Sequence, residues 1–291
     1  MAVYLGADKI AELYLGSTKI GEAYYGSTLV YRSAVTLTIN PTPADATVTF
    51  TGQGTVSGNS ITVSPNTSVT YTVSKADYTT QTATVTVTAN QTINVTLVYA
   101  PYTPNQVLYE SSTGGASKTL NLLVAGKYQV ICIAGGGGSC TRRTGSLSYK
   151  YYAGGGGSGS GFNCVLQLTA GNYAIAVGSG GTHLSGSVGT ATGGGNSRFG
   201  TSYSYGGKGG QVTSSSASGG AGGGSPLITY TKVSTALNKA GNSGGVNTGS
   251  SSYKSVKGGS AVYSSYGKGG DSDSPTYNGT AGYVKVVYIG A

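Results

Sequence analysis

Glycine is the residue that most constrains how this chain can fold. Seven of the 52 glycines in the 291-residue sequence precede residue 106, and the other 45 follow it. Glycine makes up about a quarter of the later region, against an average near 7% in proteins. Runs such as Gly135–Gly138 and Gly154–Gly157 offer no side chains for a core. They are therefore a phosphate-binding loop, a flexible linker, or backbone packed against backbone.

The residues around the glycines argue against a phosphate-binding loop. Such a loop needs Gly-Lys followed by Ser or Thr, but the three Gly-Lys dipeptides after residue 105 are followed by Tyr128, Gly209 and Gly269. A dinucleotide fingerprint also needs a helix after the glycines and an acidic residue about twenty positions later. No amphipathic helix follows, and no acid occurs between Glu110 and Asp271. We expect no nucleotide site.

A linker does not explain the strand patterns between the glycine runs. AGKYQVICIAGGGG at 125–138 is echoed by AGNYAIAVGSGG at 170–181 and, more loosely, by AGYVKVVYIGA at 281–291. In the second copy Tyr173 and Ile175 share one strand face with Val177, as expected of a buried strand. The pattern predicts glycine backbones in extended helices of three residues per turn that exchange hydrogen bonds, anchored by a strand core.

The order of these elements resembles the glycine-rich domain of phage and prophage tail proteins. A strand leads into a polyglycine run. This run is followed by the stretches GFNCVLQLTAGNYAIAVGSGG and GGGNSRFG, and the chain ends in a closing strand, AGYVKVVYI. The positions that match the family's pattern are Leu168, Gly171, Tyr173, Gly178, Gly194, Gly195, Ser197, Phe199 and Gly200. The resemblance covers about 180 residues and implies host recognition, with Phe199 filling the core. Insertions at 141–152, 227–243 and 251–270 depart from the plain pattern.

Residues 34–99 have a different sequence pattern, in which apolar residues alternate with threonine. Alternation over six short segments indicates strands with one buried face, and about 66 residues of them predict a small β-sandwich. TPADATVTF and VSKADYTTQTATVTVTANQTINVTL are similar to PEGA and bacterial Ig-like modules, which implies a spacer or an adhesive decoration. Residues 100–105, with two prolines, predict a linker to the glycine-rich domain at 106–291.

Residues 1–33 contain a repeat with a period of ten. A unit beginning at Tyr4 recurs as YLGSTKI at 14–20 and as YYGSTLV at 24–30. Each unit indicates a strand, a tight turn and a second strand. Because three such units bury little apolar surface, we expect this segment to dock on a partner. A small β-meander resting on the next domain is equally compatible with the residues. The repeats resemble N-terminal segments of phage and prophage structural proteins, which favours docking.

The distribution of charge and the length of the apolar runs limit the classes of protein to which the chain can belong. Up to residue 110 the chain has four basic and six acidic residues, and afterwards thirteen basic and two acidic. The basic part could attract an acidic polymer, although dispersed lysines also keep a glycine-rich surface soluble. No apolar run is long enough to span a bilayer, and MAVYLGADKIAE at the start is not a secretory signal. We therefore expect synthesis in the cytoplasm of a bacterial host, no membrane insertion and no nucleic-acid partner.

The residue types that carry catalysis or bind metals are scarce. The chain has one histidine, eight acids and three cysteines without a CxxC motif, so we predict no catalytic residues, no metal and no cofactor. Cys132 is interpreted as a buried thiol, and pairing of Cys140 with Cys164 is left open. Asp271 and Asp273 do not form a calcium-loop pattern.

Tyrosines beside cations are the best candidates for ligand binding. Tyrosine supplies rigid amphipathic contact area, and Ser and Gly adapt around it. Alternatively, many of these tyrosines cap the ends of the glycine packing. The predicted ligand-binding residues are Arg142, Arg143, Tyr149, Tyr151, Tyr152, Tyr203, Tyr205, Tyr253, Tyr263 and Tyr266.

Together these features predict an all-β phage virion protein that is not an enzyme. The predicted function is a tail-fibre or tail-tip adhesin that recognises the host surface non-covalently. The alternative is a purely structural capsid fibre, decoration or tail-tip component, and a bacterial adhesin is a weaker third class. The predicted partners are virion proteins through residues 1–33, a host surface glycan or surface protein, and further copies in a homo-oligomer such as a trimer.

Overall fold

The computed structural model is all-β, as the alternating patterns predict. It describes residues 4–5, 8–9, 13–146, 149–273 and 277–291, and every regular element among them is a strand. This part of the chain contains no helix long and apolar enough to cross a membrane. The chain divides into two compact units, Met1–Pro101 and Tyr102–Ala291, and each is described by itself.

The first unit begins with three separate hairpins. Their six strands are β1 (Tyr4–Leu5), β2 (Asp8–Lys9), β3 (Leu13–Leu15), β4 (Thr18–Ile20), β5 (Glu22–Tyr25) and β6 (Thr28–Arg32). Strands pair β1–β2, β3–β4 and β5–β6, all antiparallel. Residues 6–7 and 10 of the first repeat lie outside the described residues. Tyr14, Leu15, Tyr24 and Tyr25 are exposed on these hairpins.

The rest of the first unit is a β-sandwich. Its strands are β7 (Val35–Thr42), β8 (Thr47–Thr51), β9 (Thr55–Ser57), β10 (Ser60–Val63), β11 (Thr67–Ser74), β12 (Gln81–Val87) and β13 (Gln91–Thr96). The sheet order is β13-β7-β10-β9 in one sheet and β12-β11-β8 in the other. Leu37 and Ile61 of one sheet and Val69 and Val73 of the other are buried in a common core, which is the alternation that the sequence indicates.

The second unit contains sixteen strands. They are β14 (Val107–Ser111), β15 (Ser117–Leu122), β16 (Gly126–Ile133), β17 (Cys140–Thr144), β18 (Lys150–Gly154), β19 (Gly161–Leu168), β20 (Gly171–Ala176), β21 (Leu184–Ser185), β22 (Gly189–Thr190), β23 (Ser197–Phe199), β24 (Ser202–Ser204), β25 (Gln211–Val212), β26 (Ala217–Ser218), β27 (Thr231–Lys239), β28 (Val246–Ser250) and β29 (Tyr283–Gly290).

Nine of these strands form a sandwich with its own core. The sheet β14-β29-β16-β19-β27 packs on the sheet β15-β20-β23-β24. Tyr128, Phe162 and Phe199 are fully buried there. The ring of Phe199 stacks on Tyr173 with centroids 5.1 Å apart, so its predicted place in the core is confirmed. Tyr102 also packs on this core, and the second unit therefore begins inside the segment predicted as a linker.

Ten extended glycine-rich segments lie between the strands of the second unit. We number them in chain order as segments 1 to 10: 134–139, 154–160, 178–182, 191–195, 205–210, 219–224, 241–245, 256–260, 267–271 and 277–282. Each forms backbone hydrogen bonds to several others.

The bonding partners within a segment repeat every three residues. Gly135 and Gly138 donate to segment 4, whereas Gly136 and Ser139 donate to segment 10. Gly137 donates to segment 2, with an N–O distance of 2.8 Å. A period of three is that of a polyproline-II-type helix, whose backbone groups all point outward to neighbours. The predicted packing of the polyglycine segments is therefore confirmed.

Segments 1 and 2 occupy the centre of this bundle. Each of them exchanges hydrogen bonds with six other segments, and the two are bonded to each other. The remaining eight surround them as a closed ring in chain order, since segment 3 bonds to 4, each next segment to its successor, and segment 10 back to 3. Each central segment thus has neighbours on all sides, as in hexagonal packing.

The segments alternate in direction, which gives the second unit two ends. Strands β16, β19, β20, β23, β24, β27 and β29 adjoin the segments at what we call the sandwich end. The connections from segment 1 to 2, 3 to 4, 5 to 6, 7 to 8 and 9 to 10 lie at the opposite, loop end. There the short strands form two sheets, β21-β17-β18-β28 and β22-β25-β26.

Candidate functional site

The bundle separates the ten predicted ligand-binding residues into two groups. The loop end carries Arg142, Arg143, Tyr149, Tyr151, Tyr152 and Tyr253. The sandwich end carries Tyr203, Tyr205, Tyr263 and Tyr266. Since the ends are joined only through the glycine segments, one ligand site cannot include both groups.

The tyrosines at the sandwich end take part in packing. The ring of Tyr266 stacks on Tyr283 with centroids 4.3 Å apart, and Tyr263 lies parallel to Tyr283 at 6.2 Å. The backbone of Tyr203 pairs with Leu227, and the carbonyl of Tyr205 accepts a hydrogen bond from Ser160. Tyr263 and Tyr266 thus follow the alternative interpretation, in which tyrosines cap the glycine packing, and all four residues lie at the end of the bundle opposite the candidate site.

At the loop end, Tyr152 and Cys140 are core residues and not surface residues. Tyr152 is 5% exposed and packs with Cys140, Ala191 and Val212 in a small core beneath the loops. Its burial removes it from the predicted binding surface. Burial also raises the pKa of the Cys140 thiol to about 11.

The cysteines are free, buried thiols. Cys140 is in the loop-end core, whereas the thiol of Cys164 lies beside Thr235 in the sandwich. The pairing of Cys140 with Cys164 that the sequence leaves open is therefore absent. Cys132 is fully buried, as expected, and burial raises the pKa of its thiol to about 12.

The remaining loop-end residues surround a groove made of two adjoining cavities. One, of about 230 Å³, is lined by Thr141, Arg142, Arg143, Tyr151, Ser185, Gly186 and Tyr253. The other, of about 320 Å³, is lined by Thr141, His183, Ser185, Tyr253, Ser272, Asp273 and Tyr277. Thr141, Ser185 and Tyr253 line both cavities. We call this feature the loop-end groove. Residues 147–148 and 274–276, in neighbouring connections, lie outside the described residues.

Two tyrosine rings form an aromatic corner in the groove. Tyr151 and Tyr253 meet edge to face, with centroids 5.9 Å apart and ring planes at 76°. The hydroxyl of Tyr253 donates to the backbone oxygen of Ser272, so the ring is held at its far end while 44% of the residue is exposed. The corner is therefore accessible and fixed in position.

Two arginines from neighbouring positions of β17 also line the groove. The Nη1 atom of Arg142 donates to the carbonyl of Thr213 at 2.9 Å. The guanidinium of Arg143 lies 3.3 Å from the centroid of the Tyr149 ring, a cation–π arrangement. Each guanidinium is thus oriented by a contact that leaves other N–H groups available.

The other end of the groove contains a histidine that joins three elements. The Nδ1 atom of His183 lies 2.8 Å from Ser139 Oγ, and Nε2 lies 3.2 Å from Thr141 Oγ1. The imidazole stacks on Tyr277 with centroids 4.6 Å apart. Burial lowers the pKa of His183. No local sequence pattern indicates this position, because His183 and the Thr141 that it contacts are 42 residues apart in the chain.

We expect the loop end to lose stability in mild acid because of His183. The folded-state pKa lies below the unfolded value of 6.5, so the unfolded chain takes up a proton first as pH falls. The contribution of neutral His183 is fully present above about pH 6.5 and declines as pH falls toward the folded pKa. Hydrogen exchange of 183–190 at pH 7.5 and 5.5 measures this. His183→Gln should flatten the difference, and an unchanged difference would contradict the assignment.

The acidic residues near the groove are engaged within the protein. Asp271 accepts a hydrogen bond from the backbone of Gly258 and lies 2.9 Å from Lys268 Nζ and 3.7 Å from Lys257 Nζ. Asp273 Oδ2 accepts from Ser255 Oγ at 2.7 Å. Within the described ranges, no group of three or more His, Cys, Asp or Glu residues is placed to hold a metal ion.

A larger cavity in the first unit is a weaker candidate. It has a volume of about 460 Å³ and lies between hairpin β5–β6 and the sandwich. Its charged lining residues, Glu22 and Arg32, pair with each other at 2.7 Å. Their mutual neutralisation leaves no charge in this cavity to attract a ligand.

The described residues thus form β-hairpins and a threonine-rich sandwich in one unit and a backbone-bonded glycine bundle ending in loops in the other. Residues 34–99, the sandwich, match a family model described as a head fiber dimeric protein-like domain. This match supports a phage virion protein of the structural fibre kind, and its description supports association with virion proteins and between copies. No curated protein matches the chain.

Proposed function

We propose that this protein is a virion fibre that attaches a phage to its host cell through the loop-end groove. The observation that carries the proposal is the groove itself, where Arg142, Arg143 and Tyr151 of the hairpin β17–β18 meet Tyr253 from the connection between segments 7 and 8. Ring and guanidinium orientations are fixed by Ser272, Thr213 and Tyr149. Binding is non-covalent, and no covalent chemistry is proposed.

The glycine bundle supports this function by making the loops rigid. The hairpin β17–β18 continues directly from the two central segments, whose backbone groups are bonded on all sides. A surface whose side chains are already ordered loses less entropy on binding. Several copies on one particle would add avidity, because each further contact becomes intramolecular.

The place of the fibre in the virion is a separate question. The matched description names a head fibre, which favours the capsid alternative over the predicted tail location. The match lies in the sandwich and not in the loops, so it is equally compatible with the second candidate function, a purely structural fibre. The two functions differ in whether the loop end contacts cells.

Cell binding by the labelled full-length chain tests the proposal. We expect saturable binding to susceptible cells, competition with infection, and a loss of at least tenfold for Tyr253→Ala, since truncating a central aromatic residue of a binding surface typically costs about 2 kcal/mol or more. Tyr99→Ala is a matched control, because Tyr99 is 43% exposed in the first unit. A chain that binds virion particles but not cells would instead be structural.

A further inference from the structure

We infer that the ligand of the loop-end groove is an anionic oligosaccharide, bound with its acidic group at Arg143. This inference rests on the proposed function and specifies the chemistry that the groove recognises. The acidic group is a carboxylate or a phosphate, since both match a guanidinium.

The first argument is the unbalanced charge at one end of the groove. Neither Arg142 nor Arg143 forms an ion pair with a carboxylate in the described part of the chain. No acid lines the cavity that contains them. Arg142 uses one N–H group on Thr213, and a guanidinium has five. The two side chains leave β17 on opposite faces, since Arg142 stands opposite the buried Tyr152 and Arg143 opposite Tyr151. The guanidinium of Arg143, which has no carboxylate partner among the described residues, is therefore the group on the face of the aromatic corner, and it suits an anion that accepts two N–H groups at once.

The second argument is the aromatic corner next to this cationic end. The rings of Tyr151 and Tyr253 lie with their planes at 76° to each other, and both residues line the cavity. A pyranose ring has an apolar C–H face and a polar rim of hydroxyls, which fits an aromatic side chain that is apolar in its body and polar at its tip. A sugar ring placed there would have its acidic substituent within reach of Arg143.

The third argument is the polar character of the far end. Thr141, Ser185, Ser272 and Asp273 line the second cavity beside His183. Hydroxyls and a carboxylate there are acceptors and donors for sugar hydroxyl groups. The negative charge of Asp273 disfavours a second anion at this end. The ligand is therefore acidic at one position and neutral at the next.

A nucleic-acid strand fits this groove less well. Strands of nucleic acid are bound along tracks of Lys and Arg that neutralise successive phosphates. The groove instead carries its two arginines at one end and Asp273 at the other. Cavities of about 230 and 320 Å³ are also of the size that holds a short ligand segment.

Binding of defined glycans to the full-length chain tests the inference. The probes are galacturonate oligomers, their methyl esters, a mannose 6-phosphate oligosaccharide and its dephosphorylated form. We expect one acidic member of these pairs to bind at least tenfold more tightly than its neutral counterpart, and the preferred pair distinguishes carboxylate from phosphate. Arg143→Gln should remove most of that difference, because charge-assisted hydrogen bonds are lost, whereas Arg142→Gln, on the opposite face of β17, should remove less of it. Arg198→Gln, at the sandwich end, is the matched control.

The outcomes separate this inference from the proposed function. Equal binding of acidic and neutral probes, or a difference that survives Arg143→Gln, would overturn the anionic ligand. Tighter binding of a single-stranded oligonucleotide than of any glycan would also overturn it. If the chain binds cells through Tyr253 but neither acidic probe, cell attachment stands and the ligand class is wrong. If it does not bind cells at all, the proposed function itself fails.

Discussion

Replacing Gly156 with alanine is expected to destabilise the second unit severely and leave the first unit folded. Gly156 lies in segment 2, and a Cβ built on it would overlap the carbonyl oxygen of Gly137 in segment 1. The obstructing atoms belong to the backbone of Gly137 and Gly138, so there is no side chain that could rotate away. Segment 1 also cannot retreat, because it is bonded to five other segments. Overpacking typically costs 1–3 kcal/mol, and we expect at least about 3 kcal/mol here.

Hydrogen exchange on the full-length chain measures this effect within one molecule. Amides of 135–138 and 154–157 should be protected in the wild type and exchange much faster in Gly156→Ala. Peptides from 34–99 serve as the internal reference. Gly224→Ala is a matched control at the end of segment 6, where a Cβ would meet nothing within 4 Å. Equal protection in both variants would show that the central contact is looser than the structure has it.

The position of a segment in the bundle explains its glycine content. A central segment is packed on all three sides of its helix, so most of its residues are glycine and the exceptions are small, such as the fully buried Ser139, Ser158 and Ser160. Segments 1 and 2 contain the only runs of four consecutive glycines in the sequence, Gly135–Gly138 and Gly154–Gly157. A ring segment has one side facing solvent, and there the chain places residues such as the exposed Lys208 within GGKGG. The length of a glycine run thus indicates whether a segment is central.

The sequence predicts the strands and the kind of glycine packing, because both are local periodicities. Alternation of period two places Leu37 and Val73 in the sandwich core, and Phe199 is recognised from its family pattern. The groove is different, because Arg142, His183 and Tyr253 come from three connections that are far apart in sequence. Their proximity depends on the number and direction of the segments between them. The number and direction of the segments are properties of the chain topology, and local sequence patterns do not specify them.

The same topology explains why half of the predicted surface is absent from the groove. Tyr263 and Tyr266 resemble Tyr253 in their Ser- and Gly-rich surroundings, and lysines lie near all three. They follow segment 8, however, whereas Tyr253 precedes it, so they lie at the opposite end. There Tyr283 provides a ring for both to stack on. Composition alone cannot distinguish a tyrosine that binds a ligand from one that closes a bundle.

Removing residues 283–291 is expected to prevent folding of the second unit. Strand β29 lies between β14 and β16, and its residues Val284 and Val286 are completely buried. Without it, β14 has no neighbour, segment 10 loses its anchor, and the ring around segments 1 and 2 opens. Ordering glycine is costly, so the bundle cannot compensate for the loss of the strand core. Amides of 135–138 should then exchange at the rate of an unfolded peptide while those of 34–99 stay protected. Removal of the exposed Ala291 alone is the control, and protection of 135–138 in the longer truncation would mean that the glycine bundle holds itself together.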